Sequence, residues 1–233
     1  MFGLEFDENG SGIDANFTSV AYLRKGIING GLQEISCNID EVVVVRATNS
    51  CLIICYMVVK KGDSLTYKLN VVPATDFSFS APSESFANFN RPYGYSLQVE
   101  YFIFGSPRRE QDEYGINVFN DIGEVVFSSA NKYLSPIAMS RITPDGRTIG
   151  YEENASSGKC GVMLSMSNVF IAPPLQRQNG IRIAQTAIAF EPFSGGRRNI
   201  GIYITPASIP GAGETAILTG EISAMVVQLQ GLY

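Results

Sequence analysis

The chain has 233 residues, 17 of them basic and 22 acidic, for a net charge of −5, and it contains no histidine. No basic block exceeds two residues, so the cationic footprint of a nucleic-acid binder is missing, and the lack of imidazole excludes Ser-His-Asp and Cys-His nucleophile systems and histidine-ligated zinc. Only 17% of residues are charged, 11% are Phe or Tyr and 23 are Gly, the profile of an all-β protein rich in turns and long enough for one large or two ordinary domains.

Met1–Gly10 already carries acids and no apolar core segment follows, so no signal peptide is expected. Residues 1–23 read as a hairpin around an Asn/Asp/Gly turn. Asp7-Glu8-Asn9-Gly10-Ser11-Gly12 imitates the first half of a calcium loop, but Thr18 stands where the bidentate Glu belongs. The reading is a turn, and no metal or cofactor is expected.

Arg24–Asn38, with Gly26, Gly30 and Gly31, reads as a turn region leading into a strand at Leu32–Cys37. Val42–Arg46 and Leu52–Lys60 read as strong strands joined by a hairpin turn at Ala47-Thr48-Asn49-Ser50. The longest apolar run, Leu52–Val59, has eight residues, too few to span a bilayer, and fits a buried strand. Lys61-Gly62-Asp63-Ser64 is the next turn, and Leu65–Val72 returns with Tyr67 and Leu69 on one face. Cys37, Cys51, Cys55 and Cys160 have no metal or redox spacing. Cys51 and Cys55 on one strand would stand about 13 Å apart at about 3.3 Å per residue, beyond the reach of a disulfide, and all four read as reduced, buried small hydrophobes.

In Ser85–Tyr95, the aromatics Phe86, Phe89, Tyr93 and Tyr95 interleave with Asn88, Asn90 and Arg91. That composition suits an interface, with Phe86, Phe89, Arg91, Tyr93 and Tyr95 as its residues. Aromatics in a Pro/Gly loop equally suit a cap on their own sandwich. Tyr95–Phe104 reads as the strand that closes the first unit, and Ser106–Glu113 as a charged linker.

Tyr114–Phe119 and Glu124–Ser128 flank the turn Asn120-Asp121-Ile122-Gly123, a second hairpin. The first hairpin matches it in order: Phe2-Gly3-Leu4 with Tyr114-Gly115-Ile116, Phe17-Thr18-Ser19 with Phe127-Ser128-Ser129, and Tyr22-Leu23 with Tyr133-Leu134. This points to an internal duplication and to two tandem β-sandwich-like domains, residues 1–112 and 113–233. Thr143-Pro144-Asp145-Gly146 is a strong turn, and short strands follow at Arg147–Tyr151, Val162–Met166, Ile181–Phe190, Asn199–Ile204 and Ala216–Leu229. Glu110, Asp112 and Glu113, with Glu152 and Glu153, could in principle flank a sugar bond, but adjacent acids on turns read as solvated surface. Ser194-Gly195-Gly196-Arg197-Arg198 could hold an anion, but without a following helix it reads as a turn between strands.

Tyr101-Phe102-Ile103-Phe104-Gly105, a charged linker, and then the Tyr-Gly-Ile-x-Val-Phe-Asn-x-x-Gly-x-Val-x-Phe-Ser-Ser unit resemble small tail proteins of tailed bacteriophages. In these an aromatic-Gly-aliphatic-x-Val-Phe hairpin follows an Ile-Phe-Gly-x-Pro-like strand. The likeness covers about 35 residues, Tyr101–Leu134, and departs from the family at Ser128, where Asp is usual. It implies a non-enzymatic virion component near the tail tip, baseplate or fibre, assembled in the host cytoplasm. Its expected partners are other tail proteins and further copies of itself, in a homotrimer or a multiple of three, with contact to a host-surface glycan or protein. The competing reading is a carbohydrate-binding β-sandwich module, with Tyr and Phe stacking on sugar rings. No nucleic-acid partner and no membrane span are expected.

Overall fold

Strand formation follows the β-branched and aromatic runs, and glycine and asparagine mark where they stop. The computed structural model describes residues 3–5, 12–14, 19–73, 97–107, 115–142, 148–154, 159–165, 169–172, 182–192, 197–207 and 222–232. Among these, every regular element is a strand, so none is a helix long enough to cross a membrane. The first half contributes β1 (Gly3–Glu5), β2 (Gly12–Asp14), β3 (Ala21–Asn29), β4 (Gly31–Asn38), β5 (Val42–Ala47), β6 (Cys51–Lys61), β7 (Ser64–Pro73) and β8 (Gln98–Gly105). The second contributes β9 (Asn117–Phe119), β10 (Val125–Ser128), β11 (Ser135–Ile142), β12 (Thr148–Ile149), β13 (Tyr151–Asn154), β14 (Cys160–Met163), β15 (Val169–Ala172), β16 (Arg182–Pro192), β17 (Arg197–Ala207) and β18 (Ile222–Gln228).

β1–β2 and β9–β10 are separate two-stranded hairpins. The remaining strands form two large sheets, one in the order β12-β11-β18-β14-β5-β8-β3 and the other β13-β17-β16-β6-β7-β4, with β15 also paired to β16. Read outward from its centre, the first sheet runs β5-β8-β3 on one side and β14-β18-β11 on the other. The second runs β6-β7-β4 and β16-β17-β13. The order of β3 through β8 is thus repeated by β11, β13, β14, β16, β17 and β18, each half led by its own hairpin.

The equivalent strands meet each other antiparallel. Val45 and Val44 pair with Val162 and Met163 across β5–β14, and Ile53, Leu52 and Cys51 pair with Ile188, Ala189 and Phe190 across β6–β16. Outside the sheets, Ala21 bridges Tyr133, with Tyr22 N donating to Lys132 O at 2.6 Å and Leu134 N to Val20 O at 2.8 Å. Three antiparallel meetings of like segments are what a pseudo-two-fold axis between the halves produces.

What the sequence reads as two sandwiches in tandem is therefore two like halves laid edge to edge. One core between the sheets includes Ile28, Ile35, Val43 and Ile53 from the first half with Val162, Phe190, Ile200 and Val226 from the second. The sheets are also covered on their other faces near the centre. Phe102 and Phe104 cluster with Val227, Leu229 and Val44 beneath Val20, Tyr22 and Leu134, and Leu52, Ile54 and Val72 cluster with Ala187 and Ala189. Burial on both faces explains why Leu52-Ile53-Ile54 is continuously apolar instead of alternating.

Two local expectations are corrected. Ala47–Ser50 is not a hairpin turn: β5 bonds β8 and β14 in one sheet while β6 bonds β7 and β16 in the other, so the link crosses between sheets. Arg24–Asn29 is not a turn region but part of β3, which runs through Gly26. A Cβ on Gly26 would lie 2.3 Å from the Tyr101 hydroxyl, so this glycine marks close packing against a cross-strand aromatic and no break in the strand. Gly62 (φ 60°) and Gly123 (φ 83°) do occupy the left-handed turn positions that their flanking residues announce.

Candidate functional site

Glu41, its side chain 4% exposed, stands at the turn between β4 and β5. It accepts both Arg24 guanidinium nitrogens at 3.1 and 3.0 Å, Asn38 N at 2.9 Å and Asn38 Nδ2 at 3.1 Å. Burial opposes its charge, but the hydrogen bonds from Arg24 and Asn38 and the nearby cation outweigh it and hold the pKa below the usual glutamate value. Four donors fill the carboxylate's acceptor positions, leaving nothing to offer a substrate or an ion.

Glu153, expected on an exposed turn, is instead buried on β13. It accepts the backbone N–H groups of Lys159 and of Cys160, the latter at 3.1 Å, at the start of β14. Ser140 Oγ, also buried, accepts Ile202 N at 3.1 Å and ties β11 of one sheet to β17 of the other. Arg198 donates to the carbonyls of Ala47 and Thr48, so it fastens the second half to the sheet-crossing link of the first and is not displayed to an anion.

The thiols are equally committed to packing. All four cysteines are buried and belong to the core between the sheets. Burial pushes Cys51 up to about 12 against a small opposing effect of Arg198. Burial, reinforced by the Glu153 carboxylate, pushes Cys160 up to about 11. Thiols in these surroundings stay protonated near neutrality and are poor nucleophiles. Among the described residues no three His, Cys, Asp or Glu side chains gather as a metal would require.

Two parts of the surface stand out. The β9–β10 hairpin is anchored at its base: Tyr133 Oη accepts Ser128 N at 2.6 Å and donates to Ser128 O at 2.8 Å, while the Tyr133 ring stacks on Phe127 at 5.2 Å. Ser129 Oγ accepts Ile116 N at 2.8 Å. At its tip Asn120 Oδ1 accepts Ile122 N at 3.2 Å and Glu124 N at 2.8 Å, a side-chain-closed turn. This fixed turn holds Ile122 79% exposed, with Phe119 and Ile116 also exposed.

The second part is the outer end of β6. Cys51–Cys55 are buried, but a bulge between Cys55 and Met57 alters the strand, and Tyr56, Met57 and Val59 are exposed. The apolar run Leu52–Val59, which fits a buried strand by sequence, is buried only in its first half. β16 pairs with β6 only as far as Ile53, while β7 accompanies the other side to Lys61. Ile54 and Cys55, beyond that pairing, are still buried, and exposure begins at Tyr56.

Phe86, Phe89, Arg91, Tyr93 and Tyr95, the sequence's own interface candidates, lie outside the described residues, as do Glu110, Asp112 and Glu113. The exposed β6 segment had a faint signal in sequence, since Tyr56-Met57 interrupts an aliphatic run that ends in Lys60-Lys61. The hairpin had a clearer one, an isoleucine inside an otherwise polar turn. Comparisons with protein-family models, with curated proteins and with solved structures returned no match.

Proposed function

We propose that the chain is a non-enzymatic structural component of a bacteriophage tail, at the tip, baseplate or fibre attachment, working by assembly. The observation that carries this reading is the use made of the Tyr101–Leu134 stretch, the one that resembles tail proteins. Phe102, Phe104, Val118, Val126 and Ser128 of that stretch are buried, and Tyr133 clips the hairpin base. Motif residues consumed by packing fit a family held together by architecture, with the chemistry of a catalytic motif absent from the same residues. Assembly is expected in threes or multiples of three with other tail proteins as neighbours, since cyclic closure covers edge strands that an isolated sandwich leaves open.

The test has two parts. Mass spectrometry and immunogold labelling of phage particles should find the chain in the virion, at the tail. Mass photometry of the purified chain should give a closed oligomer. A strict monomer that binds glycans and is absent from particles would replace this reading with the carbohydrate-binding one.

A further inference from the structure

We infer that two copies of this chain associate about a two-fold axis at the outer edge of β3, so that the first sheet runs on from one copy into the other. This goes beyond the tail reading and concerns a surface that reading does not use. The two like halves treat their outer edges differently. In the second half β11 carries Pro136 and pairs with β12 at Arg141 and Ile142, and β13, at the edge of the other sheet, has four residues. Proline, an added short strand and a short edge all discourage further pairing. In the first half the equivalent strands are β3, with nine residues, and β4, with eight, each last in its sheet and neither holding a proline.

Among the described residues the β3 edge faces water: Arg24, Lys25 and Asn29 are exposed, and Ile27 is 61% exposed. Its register with β8 is regular from Arg24 to Asn29, so its outward backbone groups are evenly presented. Lys25, Ile27 and Asn29 share the face turned away from the core, since Ile28 between them is buried in it. Arg24 is held by Glu41 at 3.0 Å, and Glu100, opposite Ile27 on β8, is held by Arg46 at 3.5 Å. The exposed charges Asp40, next to Glu41, and Lys132, whose carbonyl accepts Tyr22 N, lie toward the Ala21 end. Lys25 is the charge left within the straight part of the edge.

The occupant is a second copy because this stretch complements itself. A two-fold axis normal to the sheet keeps the outer faces of both copies on one side, so it passes through a residue and not between two. Centred on Ile27, it sets Ile27 against Ile27 of the other copy, Lys25 against Asn29 and Gly26 against Ile28. An apolar pair then lies on the axis, each ammonium meets an amide oxygen, and no like charges face each other. Centring on Gly26 sets Lys25 against Ile27, and centring on Ile28 sets Ile27 against Asn29; both lose the match. The halves of one chain already join in this manner, antiparallel and edge to edge, at Val45 with Val162 and Ile53 with Ile188. Such an isologous contact joins copies in pairs, so an assembly in multiples of three that uses it has two-fold as well as three-fold axes.

The test places cysteines on this edge of the full chain, whose four native thiols are buried. Directly opposed residues on neighbouring antiparallel strands have Cα atoms about 4.5–5.5 Å apart, within disulfide reach. With copper-phenanthroline and dioxygen as oxidant, Ile27→Cys should link to itself. Lys25→Cys and Asn29→Cys should each stay unlinked, since each stands about 13 Å along the strand from its own copy, yet they should link to each other when mixed. Ile27→Lys puts two cations on the axis and should weaken the dimer by about tenfold or more in sedimentation velocity, with thermal melts confirming that every variant folds. No link at Ile27→Cys, Lys25→Cys linking to itself as readily, or a dissociation constant that ignores Ile27→Lys overturns the inference. Linked dimers of a chain absent from phage particles leave the contact standing and sink the tail reading, whereas a chain found in tails that fails these assays loses only the contact.

Discussion

Phe190→Ala tests whether the two halves are one folding unit. Phe190 is wholly buried on β16, opposite Cys51 of β6 on one side and Ile200 of β17 on the other, in the core that includes residues of both halves. Removing the ring forfeits about 2 kcal/mol of transfer free energy. It also leaves a hole on the order of 100 Å³, which at about 24 cal/mol per Å³ adds about 2 kcal/mol more. The total, about 4 kcal/mol, corresponds to a fall in Tm of about 8–16 °C for a chain of this size. Calorimetry should show one transition before and after the substitution, with matching calorimetric and van't Hoff enthalpies. Hydrogen exchange should accelerate together in β6–β7 and in β16–β17. Two separate transitions, with only the second-half strands affected, would refute the shared core and return the chain to two independent sandwiches.

Gly26→Ala should destabilise by about 1–3 kcal/mol, because the added Cβ meets the Tyr101 ring and hydroxyl; denaturant melts should show the loss shrinking when Tyr101→Leu is combined with it. Glu41 has a depressed folded-state pKa, so its stabilisation is fully present above the unfolded value of about 4.3 and is lost as pH falls through the lower folded value. Comparing wild type with Glu41→Gln should therefore give a large stability gap at pH 7 that closes toward pH 3, and a gap that does not change with pH would disprove the carboxylate's role. The native chain should resist a thiol reagent at pH 8, since burial raises Cys37, Cys51 and Cys160. All four cysteines should react once guanidinium unfolds it, and a rapid native-state reaction at Cys51 would contradict its burial.

Local signals read correctly and non-local ones did not. The Asn120–Gly123 and Lys61–Ser64 turns were legible because Asn and Gly dictate backbone angles within a few residues. Ala47–Ser50 was not, because the same four residues serve a hairpin or a crossing link. Which one forms is decided by β8 and β14 claiming β5, and by β7 and β16 claiming β6. β3 was hidden by Gly26, whose reason lies across the sheet at Tyr101. Of the candidate site, the hairpin's exposed isoleucine was written in the turn itself. The exposure of Tyr56, Met57 and Val59 was unreadable because it begins at a bulge after Cys55, which the apolar run does not announce.

The repeated topology, by contrast, extends well beyond the sequence likeness that first suggested it, and the two buried glutamates show why. In the first half, Glu41 at the start of β5 accepts the N–H of Asn38 at the end of β4. In the second, Glu153 on β13, the equivalent of β4, accepts N–H groups at the start of β14, the equivalent of β5. The carboxylate comes from opposite sides of the same turn. The physical requirement is that backbone donors buried where the chain changes sheets find an acceptor. Any residue that reaches them meets that requirement, so the position in the fold is held while the position in the sequence is free to move. The strands obey the same logic: a place in the sheet demands alternation and volume, which many sequences supply. The β9–β10 turn, by contrast, is closed by the Asn120 side chain and needs Gly123 at φ 83°, so its residue types are set by local backbone geometry.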